Sequence, residues 1–341
     1  MPSFRIRGCW ITMNGTRLLW ITAVFLTLSS NLRAVDVLIP PADTPPAQPT
    51  LSWTAHTEAG RRAYAEGSYL VAEKAFAAAL EHARRVSTQD AATLLVSLEN
   101  VALASQALGK ITDAEALLQE AVAIGRDRLG PKHPDLIDSL NKLAALYDAQ
   151  GRMNQVEALL QEAVAYLEIA GGSEHPETII GWTRLGKTYQ KQRRFSEAEV
   201  LYERALKVTE QGQGRDDMAL ADRLDDLAAL YELQGKQSEA ESLLQRAMAI
   251  VERQAGGEHR SMALRQLHLA DLLEAQGKYQ DAEPLYRRAL QVEEVLSGPA
   301  SREAAQVLQR HANVLKALGR TADAQETAAR AERILTNPMG R

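Results

Sequence analysis

The sequence contains a single cysteine, Cys9, among 341 residues, so an intramolecular disulfide is excluded. It contains no CxxC pair and neither the HExxH nor the GxxxxGK(S/T) motif, which are common signatures of metal, redox and nucleotide sites. These absences predict a protein that is not an enzyme and that holds neither a metal ion nor a cofactor.

Aromatic residues are also scarce, at 5% of the chain, whereas alanine, leucine, glutamate and glutamine recur throughout. These are good helix formers, and their abundance predicts an all-α protein. The hydrophobic fraction of 45% is sufficient for a packed core and argues against general disorder.

Basic residues are fewer than acidic residues in the chain after residue 34. The formal net charge is -5, and the first 34 residues contain four arginines and no acid. Without them, 35 basic residues face 44 acidic ones, which is a net charge of -9. An acidic surface repels phosphate backbones, so nucleic acid is not expected as a partner.

The amino terminus has the layout of a secretory signal peptide in residues 1–34. Arg5, Arg7 and Arg17 precede an apolar run from Leu18 to Leu28, and a polar stretch then leads to the small residue Ala34. The run is shorter than the roughly 20 residues that a membrane-spanning helix needs. We therefore expect export to the periplasm or the medium, cleavage after Ala34 and no stable membrane span afterwards. An uncleaved anchor, and initiation at Met13, remain alternatives.

A proline-rich linker is predicted in residues 35–52. It holds five of the twelve prolines of the chain, at positions 40, 41, 45, 46 and 49. Because proline fixes φ and removes a backbone donor, this stretch is expected to be extended.

The remainder of the chain is an internal repeat with a period of 42 residues. One small residue recurs at a constant position in each unit. A larger residue follows the small one four positions later, and a turn glycine precedes the small one by five positions. The small residue stands at Ala72, Ala114, Val156, Ala198, Ala240, Ala282 and Ala324, and Arg193 is the only break in the glycine column. The pattern predicts seven units, each of two amphipathic helices joined by a tight turn.

In the fourth unit, Trp182, Leu185, Gly186 and Tyr189 are followed by Ala198, Tyr202 and Ala205. These residues resemble the tetratricopeptide repeat pattern, and the 42-residue length is similar to the repeats of kinesin light chains and their bacterial relatives. The resemblance implies a right-handed superhelical solenoid of seven two-helix repeats over residues 53–335, followed by a disordered tail in residues 336–341. It also implies that first helices line the concave side.

We interpret the protein as a non-catalytic scaffold or adaptor that holds a segment of another protein in that concave groove. First-helix residues outside the packing pattern are the candidate contacts, and they predict a basic patch beside an acidic one. The candidate partner-binding residues are Asn100, Asn141, Arg184, Lys187, Lys191, Asp222, Asp225, Asp226, His268, Asp271 and Asn313. The other interpretation of these side chains is a solvated face with charge pairs inside each helix.

Two further interpretations remain open, namely a self-associating structural protein and a repeat module that binds a small ligand.

Ser139 and Lys142 form an SxxK pattern, but a helix is the wrong context for a nucleophile. His133, His175 and His259 occupy equivalent places before first helices, where we expect them at the helix start rather than at a shared metal ion.

Overall fold

The computed structural model describes residues 4–6, 9–11, 52–86, 90–212, 218–257 and 259–336. The chain divides into two units, Met1–Thr50 and Leu51–Arg341. In the first unit, strands β1 (Phe4–Ile6) and β2 (Cys9–Ile11) pair antiparallel, with Phe4 opposite Ile11. Most of the predicted signal peptide and nearly all of the predicted linker lie outside the described residues, and both stay predictions.

The second unit is built from helices alone in its described part. Fourteen helices follow one another, and they are α1 (Trp53–Ala65), α2 (Tyr69–Val86), α3 (Ala91–Ala107), α4 (Ile111–Arg128), α5 (Pro134–Ala149), α6 (Met153–Gly171), α7 (Pro176–Lys191), α8 (Phe195–Gly212), α9 (Met218–Leu233), α10 (Gln237–Ala255), α11 (Arg260–Ala275), α12 (Tyr279–Ser297), α13 (Arg302–Ala317) and α14 (Thr321–Thr336). Odd-numbered helices are the first helices of the repeats, and even-numbered helices are the second.

Each helix packs against the helix before it and the helix after it, so seven two-helix repeats stack into a solenoid. The predicted architecture is confirmed, and its last helix ends at Thr336. None of the helices in the described ranges is long and apolar enough to cross a membrane.

The turn between the two helices of a repeat requires a left-handed backbone. The turn glycines of six repeats, from Gly67 to Gly319, have φ between 72° and 76°. A glycine adopts this conformation without the Cβ clash that other residues meet. Arg193 occupies the same position in the fourth repeat with φ 62°, so the turn is kept there without glycine.

The two helices of a repeat approach closely where small residues meet. The column of small residues from Ala72 to Ala324 is at most 5% exposed. A Cβ on Gly60 would lie 2.4 Å from the ring of Phe76, and one on Gly186 would lie 2.6 Å from the ring of Tyr202. The first helix therefore carries glycine in two repeats where the second helix presents a buried ring.

The three equivalent histidines cap first helices, as expected. The Nδ1 atoms of His133, His175 and His259 accept hydrogen bonds from the second residue of α5, α7 and α11, at 3.2–3.3 Å. Each ring thus satisfies one of the amide groups that a helix start leaves without a partner.

Two ladders of ion pairs join neighbouring repeats on the side of the second helices. In the outer ladder, second helices pair with each other through Arg84–Glu120, Arg126–Glu162, Glu168–Arg204, Glu210–Arg246, Glu252–Arg288 and Glu294–Arg330, at 2.5–3.5 Å. The order of charges reverses after the second pair, yet every junction keeps one acid and one base.

In the turn ladder, the basic residue after each turn binds a glutamate on the second helix of the preceding repeat. The pairs are Lys110–Glu73, Arg152–Glu115, Arg194–Glu157, Lys236–Glu199, Lys278–Glu241 and Arg320–Glu283, at 2.6–3.5 Å. Each junction between repeats is therefore held by at least two ion pairs in addition to its apolar contacts.

One core position departs from this regularity. Gln266 on α11 is fully buried, and both of its amide atoms lack a hydrogen-bond partner among the described residues. The equivalent positions in four other repeats are Leu98, Leu140, Leu224 and Leu308, all of which are buried. A buried amide without partners destabilises the fold because it loses its hydrogen bonds to water.

The outer ladder predicts a recoverable loss of stability. Arg84→Glu and Glu120→Arg should each lower the free energy of unfolding by about 0.5–1 kcal/mol, because like charges then face each other. The double substitution should recover most of this loss, since junctions further along already carry the reversed order. Chemical denaturation of the four proteins tests this, and losses that simply add would contradict it.

The second prediction concerns Gln266. Gln266→Leu should raise the free energy of unfolding by about 1–2 kcal/mol, because the buried amide is replaced by the residue that four equivalent positions use. Leu224→Gln provides the matched control and should destabilise the chain. Thermal unfolding followed by circular dichroism measures both, and a lower melting temperature for Gln266→Leu would refute the interpretation.

Candidate functional site

The predicted partner-binding residues lie on the first helices, and most of their charges are already paired with a neighbouring repeat. Lys187 is 2.9 Å from Asp226, and Lys191 is 2.6 Å from Asp148. Two of the three cations of the predicted basic patch on α7 are therefore paired with acids on α9 and on α5.

Three acidic side chains of α9 have partners on α11. The guanidinium of Arg265 is 2.7 Å from Asp222 and 2.8 Å from Asp225, and Arg265 is only 5% exposed. His268 lies 2.6 Å from Glu232. These contacts join two adjacent first helices, so part of the predicted acidic patch stabilises the solenoid.

Asp271 on α11 lies 2.6 Å from Arg310 on α13 and accepts a hydrogen bond of 2.5 Å from the buried hydroxyl of Tyr286. The same hydroxyl lies 2.7 Å from Glu274. Burial and these two carboxylates raise the pKa of Tyr286, which keeps the phenol protonated.

The SxxK pattern of Ser139 and Lys142 forms part of the contact between α3 and α5. The hydroxyl of Ser139 donates to Glu99 at 2.5 Å, and the ammonium of Lys142 lies 2.6 Å from the same carboxylate. Burial raises the pKa of Glu99, and the two donors oppose that effect. Glu99 therefore acts as a buried bridge between the second and third repeats.

The three predicted asparagines lie in different surroundings. Asn141 is half-buried at the junction of α5 and α7, and Asn313 is exposed on α13. The side-chain nitrogen of Asn100 is buried and has no hydrogen-bond partner among the described residues. The structure does not bring the three amides together.

A cavity of about 460 Å³ opens between α5 and α7, and we call it the carboxyl-end cavity because it lies toward the ends of these helices. Its floor is apolar and includes Ala144, Val156 and Leu160. The residues equivalent to Leu160 in the fourth and sixth repeats are Tyr202 and Tyr286, whose rings are fully buried. Leu160 therefore lines the cavity at a position where two other repeats carry a buried ring.

A second cavity of about 320 Å³ lies between the same helices near their starts, and we call it the amino-end cavity. The two cavities share Asp138, Asn141 and Arg184. Arg184 therefore stands at the centre of a trough that follows the line between α5 and α7.

Arg184 is exposed and forms no ion pair with any residue in the described ranges. The reason lies one repeat earlier. Lys142, its equivalent in the third repeat, binds Glu99 on the preceding first helix, whereas the residue in the place of Glu99 for Arg184 is Asn141. A neutral amide has replaced the acid, so the guanidinium retains its capacity to bind a carboxylate from outside.

Several of these features were missed in the sequence. Arg265 is not among the predicted residues, although it holds two of the predicted acids, and neither are Val156 and Leu160, which form the apolar floor of the carboxyl-end cavity. The signal was present, because Lys142–Glu99, Lys191–Asp148 and Arg265–Asp222 all join residues 43 positions apart. No group of histidine, cysteine or acidic residues that could hold a metal ion occurs among the described residues.

Comparison with protein families finds the tetratricopeptide repeat in residues 90–169, 177–253 and 260–337. The first repeat, formed by α1 and α2, lies outside these segments but has the same two-helix structure. No curated protein matches the sequence significantly.

Solved structures with the same fold include TPR-like repeats described as those of a kinesin light chain from Podospora anserina. They are 27% identical, with a TM-score of 0.54 over 61% of this chain and 99% of that chain. BtubC (BKLC) from P. vanneervenii is 22% identical, with a TM-score of 0.57 over 73% of this chain and 93% of its own. The apo form of RapI is 13% identical, with a TM-score of 0.56 over 84% of this chain and 99% of its own.

The α9–α11 junction predicts a pH-dependent stability. Burial raises the pKa of Asp225 to about 6, and the hydrogen bond to Glu232 raises the pKa of His268. Both groups bind protons more tightly in the folded chain, so their stabilisation is present in acid and is lost as the pH rises through about 6 and the pKa of His268.

Melting temperatures at pH 5.5 and 7.5 test this in the wild type and in the Asp225→Asn/His268→Gln variant. His311 acts in the opposite direction, because burial lowers its pKa, so the comparison rests on the difference between the two proteins. The wild type should gain more stability at pH 5.5 than the variant. An equal pH response would show that the two groups do not control this junction.

Proposed function

The chain belongs to the tetratricopeptide repeat family, and on that premise we propose that it is a non-catalytic scaffold that binds a segment of another protein on the face of its first helices. The observation that carries the proposal is the trough between α5 and α7, where Arg184 stands between two cavities without an acidic partner. Exposed recognition surfaces built on rigid elements are typical of repeat proteins.

The chemistry of the trough favours a partner segment with an acidic side chain. A guanidinium offers paired donors that match a carboxylate, and the apolar floor beside it can accept the carbon atoms of the same segment. Lys187 and Lys191 already have acidic partners, so a carboxylate from outside would compete with Asp226 and Asp148 for them. Arg184 carries no such competition.

Self-association through stacking of the ends is disfavoured by both ladders. The positions that would extend the turn ladder are Ser68 in the first repeat and Gln325 in the last, and those that would extend the outer ladder are Ala78 and Thr336. All four side chains are uncharged. A second copy stacked in the repeat register would therefore continue neither ladder at the new junction, although each internal junction carries one pair of each ladder.

The proposal also places the protein outside the cytoplasm, in the periplasm or in the medium. It relies on the basic and apolar pattern of residues 1–34, which lies largely outside the described residues. A small ligand in the carboxyl-end cavity is the competing interpretation, and the binding experiment distinguishes the two.

Two substitutions test the proposal, one at Arg184 and one at its neighbour Asn141. Arg184→Glu should reduce partner binding at least ten-fold, because it places an acid at the recognition site. Asn141→Glu should also reduce binding while keeping Arg184, because it supplies the internal acid that Glu99 supplies to Lys142. Both variants should retain the helical content of the wild type.

The partner is first captured from the native envelope fraction by crosslinking at Lys187 or Lys191 and identified by mass spectrometry, and its affinity for each variant is then measured. Lys207→Glu makes the same kind of charge change on α8, away from the trough, and should have no effect. Equal binding by all variants would rule out the trough, and capture of this chain alone would favour self-association.

A further inference from the structure

A third cavity lies between α11 and α13, with a volume of about 200 Å³, and we call it the distal cavity. Every residue that lines it stands three 42-residue repeats after a residue that lines the amino-end cavity. Glu303 corresponds in this way to Glu177, and Arg310 corresponds to Arg184. The solenoid therefore presents the same inter-repeat pocket twice on the face of its first helices.

The two pockets differ in the chemistry of their rims. Asp138 and Asn141 in the amino-end cavity are replaced by Leu264 and Leu267 in the distal cavity. Leu264 is 57% exposed, which is a large exposed fraction for a leucine in the first turns of a helix that packs on both sides. Val307 adds a third apolar wall. At these two positions the distal cavity offers apolar side chains where the amino-end cavity offers polar groups, whereas Leu167 and Ile180 of the amino-end cavity correspond to Glu293 and Gln306.

Three of the four charged side chains that line the distal cavity are paired within the chain, and Glu303 is the exception among the described residues. Arg310 lies 2.6 Å from Asp271, so its guanidinium is paired where that of Arg184 is not. The buried carboxylate of Glu293 accepts a hydrogen bond of 3.2 Å from Ser297 and lies 3.8 Å from Arg260. An aliphatic side chain that binds the apolar wall of this pocket therefore displaces no internal ion pair.

We propose that one extended segment of a partner protein occupies both pockets, with an acidic side chain on Arg184 and an aliphatic side chain against Leu264. This inference rests on the proposed function and specifies the chemistry of the partner. Packed helices lie about 8–10 Å apart, so three repeats separate the pockets by about 27 Å. An extended chain advances about 3.3 Å per residue, which sets the two side chains about eight residues apart.

Two weak contacts on one segment support each other. Once the acidic side chain is bound, the aliphatic one is held near its pocket at a high effective concentration, which raises the affinity of the whole segment. This gain in affinity disappears when the spacing between the two residues does not match the distance between the two pockets. The aliphatic class follows from the volume of about 200 Å³ and the leucine and valine walls, which suit a leucine, isoleucine or methionine side chain.

The test is selection of random 16-residue peptides displayed on phage against the full chain, followed by affinity measurements on the enriched peptides. The expected sequences carry an acidic and an aliphatic residue seven to nine positions apart. Arg184→Glu and Leu264→Asp should each weaken the affinity of the protein for these peptides at least ten-fold. Placing the acidic and aliphatic residues of the peptide only four positions apart should weaken it to the same extent. Val200→Asp introduces an acid on exposed apolar surface of α8 and serves as the matched control.

The outcomes separate this inference from the proposed function. Peptides that lose affinity with Arg184→Glu but not with Leu264→Asp would overturn the two-pocket arrangement and leave the scaffold in place. Peptides that neither substitution affects, or failure to enrich any peptide, would count against both. Equal weakening by Val200→Asp would show that added negative charge, and not the distal cavity, causes the effect.

Discussion

The close crossing of the two helices in each repeat is the constraint on which the rest of the structure depends. Alanine or glycine on the first helix meets a larger side chain on the second, and Gly60 with Phe76 and Gly186 with Tyr202 show how little space remains. Because the crossing sets the angle of the pair, it also sets the surface that the pair presents to the next repeat. A constant spacing of 42 residues then places equivalent side chains at every junction.

The junctions combine apolar contact with a fixed arrangement of charges. An exposed ion pair contributes little stability by itself, so the two ladders are better understood as a specification of register than as the source of the folding energy. The reversal between Arg126–Glu162 and Glu168–Arg204 supports this view, because complementarity is kept while the residue types exchange places. The apolar columns hold the repeats together, and the ladders favour one alignment of their surfaces.

Much of the fold could be predicted from the sequence, because its causes are local. The turn glycines, the histidine caps and the crossing residues each act within one repeat, and their columns are visible without coordinates. The candidate site could be predicted only in part, because its charges act between repeats. Lys187 and Asp226 were assigned to opposite patches, although they form one ion pair across 39 residues. Cavities depend on side-chain volume at several helices together, so the opening beside Leu160 could not be foreseen from one column.

The internal pairing also explains where recognition can occur on a surface so rich in charge. A partner that approaches Arg265 must displace Asp222 and Asp225 from a guanidinium that is almost fully buried, and so gains little net free energy. The substitution of an amide for an acid at Asn141 removes this competition at one place and leaves the fold intact. Specific binding on a self-neutralised face therefore depends on positions where the repeat pattern is broken, and Asn141 with Arg184 is such a position in the central repeats. In apolar terms, Leu264 presents an exposed hydrophobic side chain where its equivalents in the third and fifth repeats, Asp138 and Asp222, are charged, and Ile180 does the same in the fourth repeat.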